Sequence, residues 1–312
     1  MKILITGIHG FVGSNLVKAL SSDHTIYGVD IIAPDKEGVK KTYSWEDVDN
    51  KALPEVDAII HLAGKAHDTK NQAQADIYFK VNTDLTKKIY DYFLSSSAKK
   101  FIQFSSVKAA ADQVHGEFVD ESVEPTPKGP YGESKIAAER YILSKMAKQT
   151  YILRPCMIHG PGNKGNLNLL FGVVKKGIPW PLGAFENRRT FMSIDNLCFI
   201  INGLLQKDIE SGIYHVNDDE AVSTNELIEI ICHTMGKKPR IWHLNKGFMQ
   251  GIASIGDILH LPLNSERLRK LTENYISSNT KIKTALAITQ LPVTAREGLA
   301  KTIQSFQLTV NS

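Results

Sequence analysis

The chain has 312 residues, 42% hydrophobic and 22% charged, an ordinary globular composition long enough for one large domain or two unequal ones sharing a cleft. Its 37 Lys and Arg against 33 Asp and Glu leave a net charge of +4 without a long like-charge block, so neither a nucleic-acid nor a membrane partner is expected. Cys156, Cys198 and Cys232 are odd in number, scattered in apolar runs and not spaced as metal ligands, which fits buried thiols in a reducing compartment and no metal site.

Short β-branched runs alternate with stretches of helical period. Strands are predicted at 2–6, 25–30, 56–62, 99–105 and 150–155, and helices at 11–20, 75–94 and 131–148. This alternation predicts an α/β fold of Rossmann type, a doubly wound parallel sheet whose strands, apolar throughout as at Ala58-Ile59-Ile60, are covered on both faces. The first strand begins at Lys2, leaving no room for a leader, and the longest apolar run, 197–205, is too short for a bilayer, so a cytoplasmic location is expected.

Beyond Pro155 the composition shifts. His159-Gly160-Pro161-Gly162 and Gly177-Ile178-Pro179-Trp180-Pro181 mark loops, followed by a strand at 213–216 and an amphipathic segment at 223–235. Residues 1–160 are expected to form the first domain, with 190–216 packing back onto it, and 161–312 mainly a smaller second domain. The segment 247–263, apolar with three glycines, gives no clear secondary structure and is read as a packed subdomain or subunit contact.

Gly7, Gly10 and Gly13 lie where the first strand turns into the first helix, the context in which a glycine triplet means dinucleotide binding. Glycine permits the tight turn and close backbone approach to a pyrophosphate, and the helix that starts at Phe11-Val12 offers N–H donors and a positive dipole end. Asp30 closes the second strand 17 residues beyond Gly13, where a carboxylate accepts from the adenosine ribose hydroxyls, and Ile31 follows it. With no Arg beside Asp30, NAD is expected rather than its 2′-phosphorylated form.

Two Tyr-x-x-x-Lys motifs stand ten residues apart, Tyr131/Lys135 and Tyr141/Lys145. Ser105-Ser106 end a strand, and Tyr131 opens a helix 25 residues after Ser106, so the first pair has a serine partner and the second has none. A phenol with a pKa near ~10 is a weak base at neutral pH, but an ammonium one helical turn away favours the phenolate. Tyr131 is therefore read as the group that exchanges a proton, Tyr141 as packing and Lys145 as a solvated face.

Gly7-x-x-Gly10-x-x-Gly13, Asp30, His61-Leu62-Ala63-Gly64-Lys65, Asn82, Ser106, Tyr131-Gly132-Glu133-Ser134-Lys135, Arg154-Pro155 and Arg189-Thr190-Phe191 together resemble the extended short-chain dehydrogenase/reductase family, along most of the chain. The resemblance implies that Ser106, Tyr131 and Lys135 are catalytic, and that Asp47, Val48, Leu62, Ala63, Gly64, Lys65, Asn82, Ser105 and Pro155 line NAD. It also implies that Asn166, Leu167 and Arg189, with Ser106, bind a UDP-sugar, and that a homodimer forms through helices 75–94 and 131–148. A 4,6-dehydratase of this family would carry an acid and base directly after the serine. Val107 and Lys108 stand there instead, so C4 epimerisation is expected. Two alternatives remain open: an NAD(P)H-dependent 4-keto sugar reductase, given Ser-Ser-Val-Lys and Ala109-Ala110-Ala111 after it, and a non-catalytic nucleotide-binding member of the fold.

Overall fold

The structure, a computed structural model, describes residues 1–32, 34–65, 74–163, 165–261 and 263–311. Seven strands form one parallel sheet: β1 (Lys2–Thr6), β2 (Thr25–Val29), β3 (Lys41–Tyr43), β4 (Ala58–His61), β5 (Lys100–Phe104), β6 (Gln149–Pro155) and, later in the chain, Gly212–Val216. The spatial order is β3-β2-β1-β4-β5-β6 and then Gly212–Val216. Successive side chains of a strand point to opposite faces. Ile3, Ile5 and Ile60 accordingly enter one core cluster with helix Ile194–Gln206, whereas Leu4, Ile59 and Phe101 enter another with helix Leu85–Ser95. Both faces are buried, which is why these strands read as continuous apolar runs.

β1 lies between β2 and β4, with Thr6 opposite Val29 on one side and His61 on the other. The chain winds outward in both directions from this point, so a crevice opens beyond the carboxyl ends of β1 and β4, the usual ligand position in such sheets.

After β6 the chain leaves the sheet. β7 (Met157–His159) and β8 (Arg189–Ser193) pair in parallel, and β10 (Ala221–Val222) adds to β8 antiparallel, forming a second sheet; β9 denotes the intervening Gly212–Val216 strand of the main sheet. A second core around Phe171, Phe191, Ile231 and Leu299 gathers helices Asn166–Lys175, Thr224–Thr234, Lys246–Leu259, Ser265–Thr272 and Ala295–Asn311. Helix Ile194–Gln206 returns the chain to the first core. Lys100 Nζ caps its carboxyl end through the carbonyls of Leu204, Leu205 and Lys207 at 3.1, 3.0 and 2.8 Å. Among the described residues no helix is long and apolar enough to cross a membrane.

Two predicted helices differ in detail. The 75–94 stretch is interrupted by a π-helical turn, Phe79–Asp84, which widens the helix and turns Asn82 and Thr83 inward. The helix expected at 131–148 runs Gly129–Ser144, with Pro130 in its first turn. Lys148 lies outside it and bonds the carbonyls of Phe93, Ser96 and Ala98.

Candidate active site

The glycine triplet is dictated by contact. Gly7 adopts φ +69°, and a Cβ there would lie 2.9 Å from Ala63 N; at Gly13 it would meet Gly7 O at 2.6 Å. Helix Phe11–Leu20 starts directly after Gly10 with no side-chain cap, so its first N–H groups stay open to an anion. A Gly13→Ala substitution meets main chain on two sides. We expect it to lower NAD affinity at least about tenfold by calorimetric titration, a shift of about 1.4 kcal/mol.

Asp30 Oδ2 accepts from His9 N at 2.9 Å and Oδ1 from Ile31 N at 2.8 Å, which orients the carboxylate at the end of β2. Ile31 beside it is 86% exposed. Lys36 reaches back to this corner: its Nζ donates to Ser14 Oγ at 2.7 Å, and burial lowers its pKa while the Asp30 charge opposes that.

A hydrogen-bonded line of buried groups joins the cradle to helix Gly129–Ser144. Thr6 Oγ1 bonds His61 Nδ1 at 2.6 Å and accepts from Ala63 N at 3.1 Å; His61 Nε2 bonds Thr86 Oγ1 at 3.0 Å, and Thr86 donates to the Asn82 carbonyl. Asn82 then holds the loop after β4, accepting from Lys65 N at 2.7 Å and donating to Ser134 Oγ at 3.0 Å. Burial, with the Lys135 charge adding to it, pushes His61 down to about 3, so its ring is neutral. A Cβ on Gly64 would lie 3.0 Å from Asn82 Oδ1 and 3.1 Å from Lys135 Nζ, so the loop passes close against both side chains.

Ser106, at the end of the loop after β5, caps the short helix Val107–Ala110 by accepting from Lys108 N at 3.2 Å. Its hydroxyl also acts on the Tyr131 phenol, working against the rise in that phenol's pKa. Burial causes that rise, and Tyr78 adds to it. Lys135, one turn along, is buried and donates to the Phe104 carbonyl at 2.9 Å; burial pushes it down to about 8 against the pull of Glu139. The structure thus brings Ser106, Tyr131 and Lys135 together beside the loop 62–65. The second motif lies on the surface: Tyr141 donates to Asp91 at 2.7 Å, and Lys145 pairs with the same carboxylate at 3.0 Å and with Tyr141. Its spacing serves a surface ion pair, so Lys145 is bonded rather than merely solvated.

Several expected contacts are otherwise engaged. Asp47 forms a capping box with Ser44 at the start of helix Trp45–Asp49, and Val48 is buried in the core behind β2. Ser105 donates to Glu139, and Pro155 closes β6 opposite Val216. Arg189 donates to the carbonyls of Glu273, at 3.2 Å, and Lys270, and pairs with the Glu273 carboxylate. The Leu167 side chain is buried in the second core, so what it presents to a ligand is backbone at the uncapped start of helix Asn166–Lys175; the Asn166 side chain lies outside the described residues.

Sequence reasoning missed three groups. Glu139 takes Arg154 Nε at 3.0 Å and Nη2 at 2.6 Å in a fully buried pair behind Ser105; its place at i+4 from Lys135 was the available signal. Tyr275 donates to the carbonyls of Ala111 at 2.7 Å and Val107 at 3.2 Å, and the Lys108 ammonium lies 4.5 Å from its ring centroid. Lys36, described above, is the third.

The glycine cradle, the open helix terminus and the oriented Asp30 fit NAD, which Gly7, Gly10, Gly13 and Asp30 would hold by pyrophosphate and ribose. The sequence model of the NAD dependent epimerase/dehydratase family matches residues 3–216. A UDP-glucose 4-epimerase of Vibrio cholerae is 31% identical over 252 residues, 75% of this chain and 76% of that protein. The N-acetyl-α-D-glucosaminyl-diphospho-ditrans,octacis-undecaprenol 4-epimerase of Escherichia coli O157:H7 is 25% identical over 97% of this chain and 94% of its own. The solved UDP-glucuronic acid 4-epimerase of Bacillus cereus, in complex with NAD, superposes with a TM-score of 0.75 over 99% of each chain at 22% identity, a likeness of fold. The glycine cradle, the grouping of Ser106, Tyr131 and Lys135 and a family match that spans the main sheet lead to one conclusion: the chain belongs to the NAD dependent epimerase/dehydratase family and is an NAD-dependent enzyme.

Proposed function

We propose that the protein inverts C4 of a UDP-linked hexose or N-acetylhexosamine through a transient 4-keto sugar. The observation that carries this reading is the convergence of Ser106, Tyr131 and Lys135 beside the loop 62–65 at the mouth of the cradle. Tyr131 takes the C4 hydroxyl proton while Ser106 donates to the same oxygen, and the two roles reverse when the hydride returns to the other face. Lys135, held by the Phe104 carbonyl one helical turn from Tyr131, is the cation that a phenolate needs nearby. NAD, when bound, supplies the hydride acceptor and donor at C4.

Dehydration is disfavoured by the two positions after Ser106. Val107 is buried and apolar, and Lys108 is tied to the Asp112 carbonyl at 2.7 Å and to its carboxylate. Neither is a free acid or base aimed at C5 and C6. A second reading, a reductase that consumes a phosphorylated dinucleotide, is favoured by Lys36, a cation at the Asp30 corner suited to a 2′-phosphate.

The test incubates purified protein with UDP-hexoses, UDP-N-acetylhexosamines, a UDP-4-keto-6-deoxyhexose and a polyprenyl-diphosphate N-acetylhexosamine, following products and 340 nm absorbance together. C4 inversion without net change in absorbance is expected. Stoichiometric oxidation of NADPH would establish the reductase instead.

A further inference from the structure

Helix Lys246–Leu259 carries its apolar residues on two faces. Met249, Ala253 and Gly256 form the inner face and are buried against Leu263 and helix Ser265–Thr272. Phe248, Ile255, Ile258 and Leu259 repeat at helical spacing on a second face left exposed among the described residues; Ile258 is 77% exposed and Leu259 62%. Trp242 before the helix and Leu261 after it are exposed as well. An uncovered apolar helix face of this kind marks an interaction site.

The charge of the chain is concentrated around the same helix. Residues 237–273 hold seven Lys and Arg against three Asp and Glu, while the rest of the chain holds thirty of each, so the whole excess of +4 resides here. Lys246 opens the helix, Lys237 and Lys238 precede it, and Lys270 follows it, all exposed, with Lys270 paired to Glu266. The expectation of no membrane partner averaged this segment into an otherwise neutral chain.

An uncovered apolar helix face within a basic segment is the composition of a helix that lies in a membrane interface, with a tryptophan suited to the headgroup level. A second copy of the chain fits less well, because a two-fold contact through this face sets one +4 segment against another. We propose that helix Lys246–Leu259, with Trp242 and Leu261, docks the protein on an anionic phospholipid surface, its apolar face lying between the acyl chains and its lysines against the headgroups.

The test is co-sedimentation of the full chain with phosphatidylcholine vesicles with and without phosphatidylglycerol, at low and at physiological salt. Binding to the anionic vesicles, weakened by salt, is expected. An Ile255→Asp/Ile258→Asp variant is expected to lower the partition coefficient at least about tenfold, with its melting midpoint and its turnover of soluble substrate unchanged. Phe248→Ser gives the same readout at the other end of the helix if the double variant melts early. Absence of vesicle binding at low salt overturns the proposal, as does undiminished binding by both variants. Conversion of a wild-type dimer to monomers by these substitutions, without vesicle binding, would assign the face to a second copy. The vesicle result does not depend on which sugar turns over, so it stands or falls apart from the proposed reaction.

Discussion

Replacing Tyr131 with Phe lowers turnover by roughly 10²- to 10⁴-fold, the range for removal of a general acid–base group, while bound NAD is retained. The substitution deletes one oxygen and leaves the ring in its edge-on contact with Tyr78, so the fold is untouched. Tyr141→Phe is the control. Its phenol serves only Asp91 and Lys145 on the surface, where such contacts contribute about 0–1 kcal/mol, so its turnover is expected to equal wild type. Equal loss in the two variants would remove the catalytic assignment. Loss of NAD from the Tyr131 variant, seen by absorbance of the released cofactor, would reassign the tyrosine to cofactor binding.

The second large effect lies behind the site. Glu139 and Arg154 are an ion pair with almost no solvent contact, and Ser105 adds a third bond to the carboxylate. Glu139→Ala strands a buried guanidinium, a class of change that costs about 3–5 kcal/mol and is expected to lower the melting midpoint by roughly 10 °C. Substituting both partners with apolar residues of similar volume recovers most of that loss in a thermal melt; if the double variant melts no higher than the single one, the pair is not what stabilises this position.

Glu139 also bears on catalysis, because its charge opposes the burial that pushes Lys135 down to about 8. Lys135 acts as a cation, so activity is present below its pKa and falls as pH rises through it. In Glu139→Gln, which keeps the side-chain shape and one acceptor oxygen but not the charge, that opposing pull is gone. The alkaline limb of the kcat/KM profile is therefore expected to move below 8. An unmoved limb would dissociate Lys135 from the pH dependence.

The parts of this molecule legible in the sequence are those where a local rule acts alone. The glycine cradle was readable because Gly7 and Gly13 sit where main chain approaches main chain, and the alternating strands because each face of the sheet meets an apolar layer. Tyr131 and Ser106 were readable because a strand end and a helix start must face each other across a parallel unit. What escaped depends on partners distant in the chain. Arg189 reads as a phosphate ligand until Glu273 and Lys270 occupy its fork, and Asp47 as an adenine contact until it caps its own helix. The widened turn at Phe79–Asp84 leaves no mark in the hydrophobic period, because it is enforced by the tertiary bonds of Asn82 and Thr83 to Ser134.

The position of β9 in the main sheet sets a schedule for biosynthesis. β6 ends at Pro155, but the strand that covers its outer edge, Gly212–Val216, is made 57 residues later, after β7 and β8 have been built into the other sheet. At about 5–20 residues per second, a ribosome leaves that edge unpaired for roughly 3 to 11 s. Throughout that interval the nascent sheet presents a row of open N–H and C=O groups flanked by Tyr151, Ile152 and Leu153, the arrangement most prone to pairing with another chain. During synthesis the exposure of this edge is therefore set by the rate of translation, not by the stability of the finished sheet.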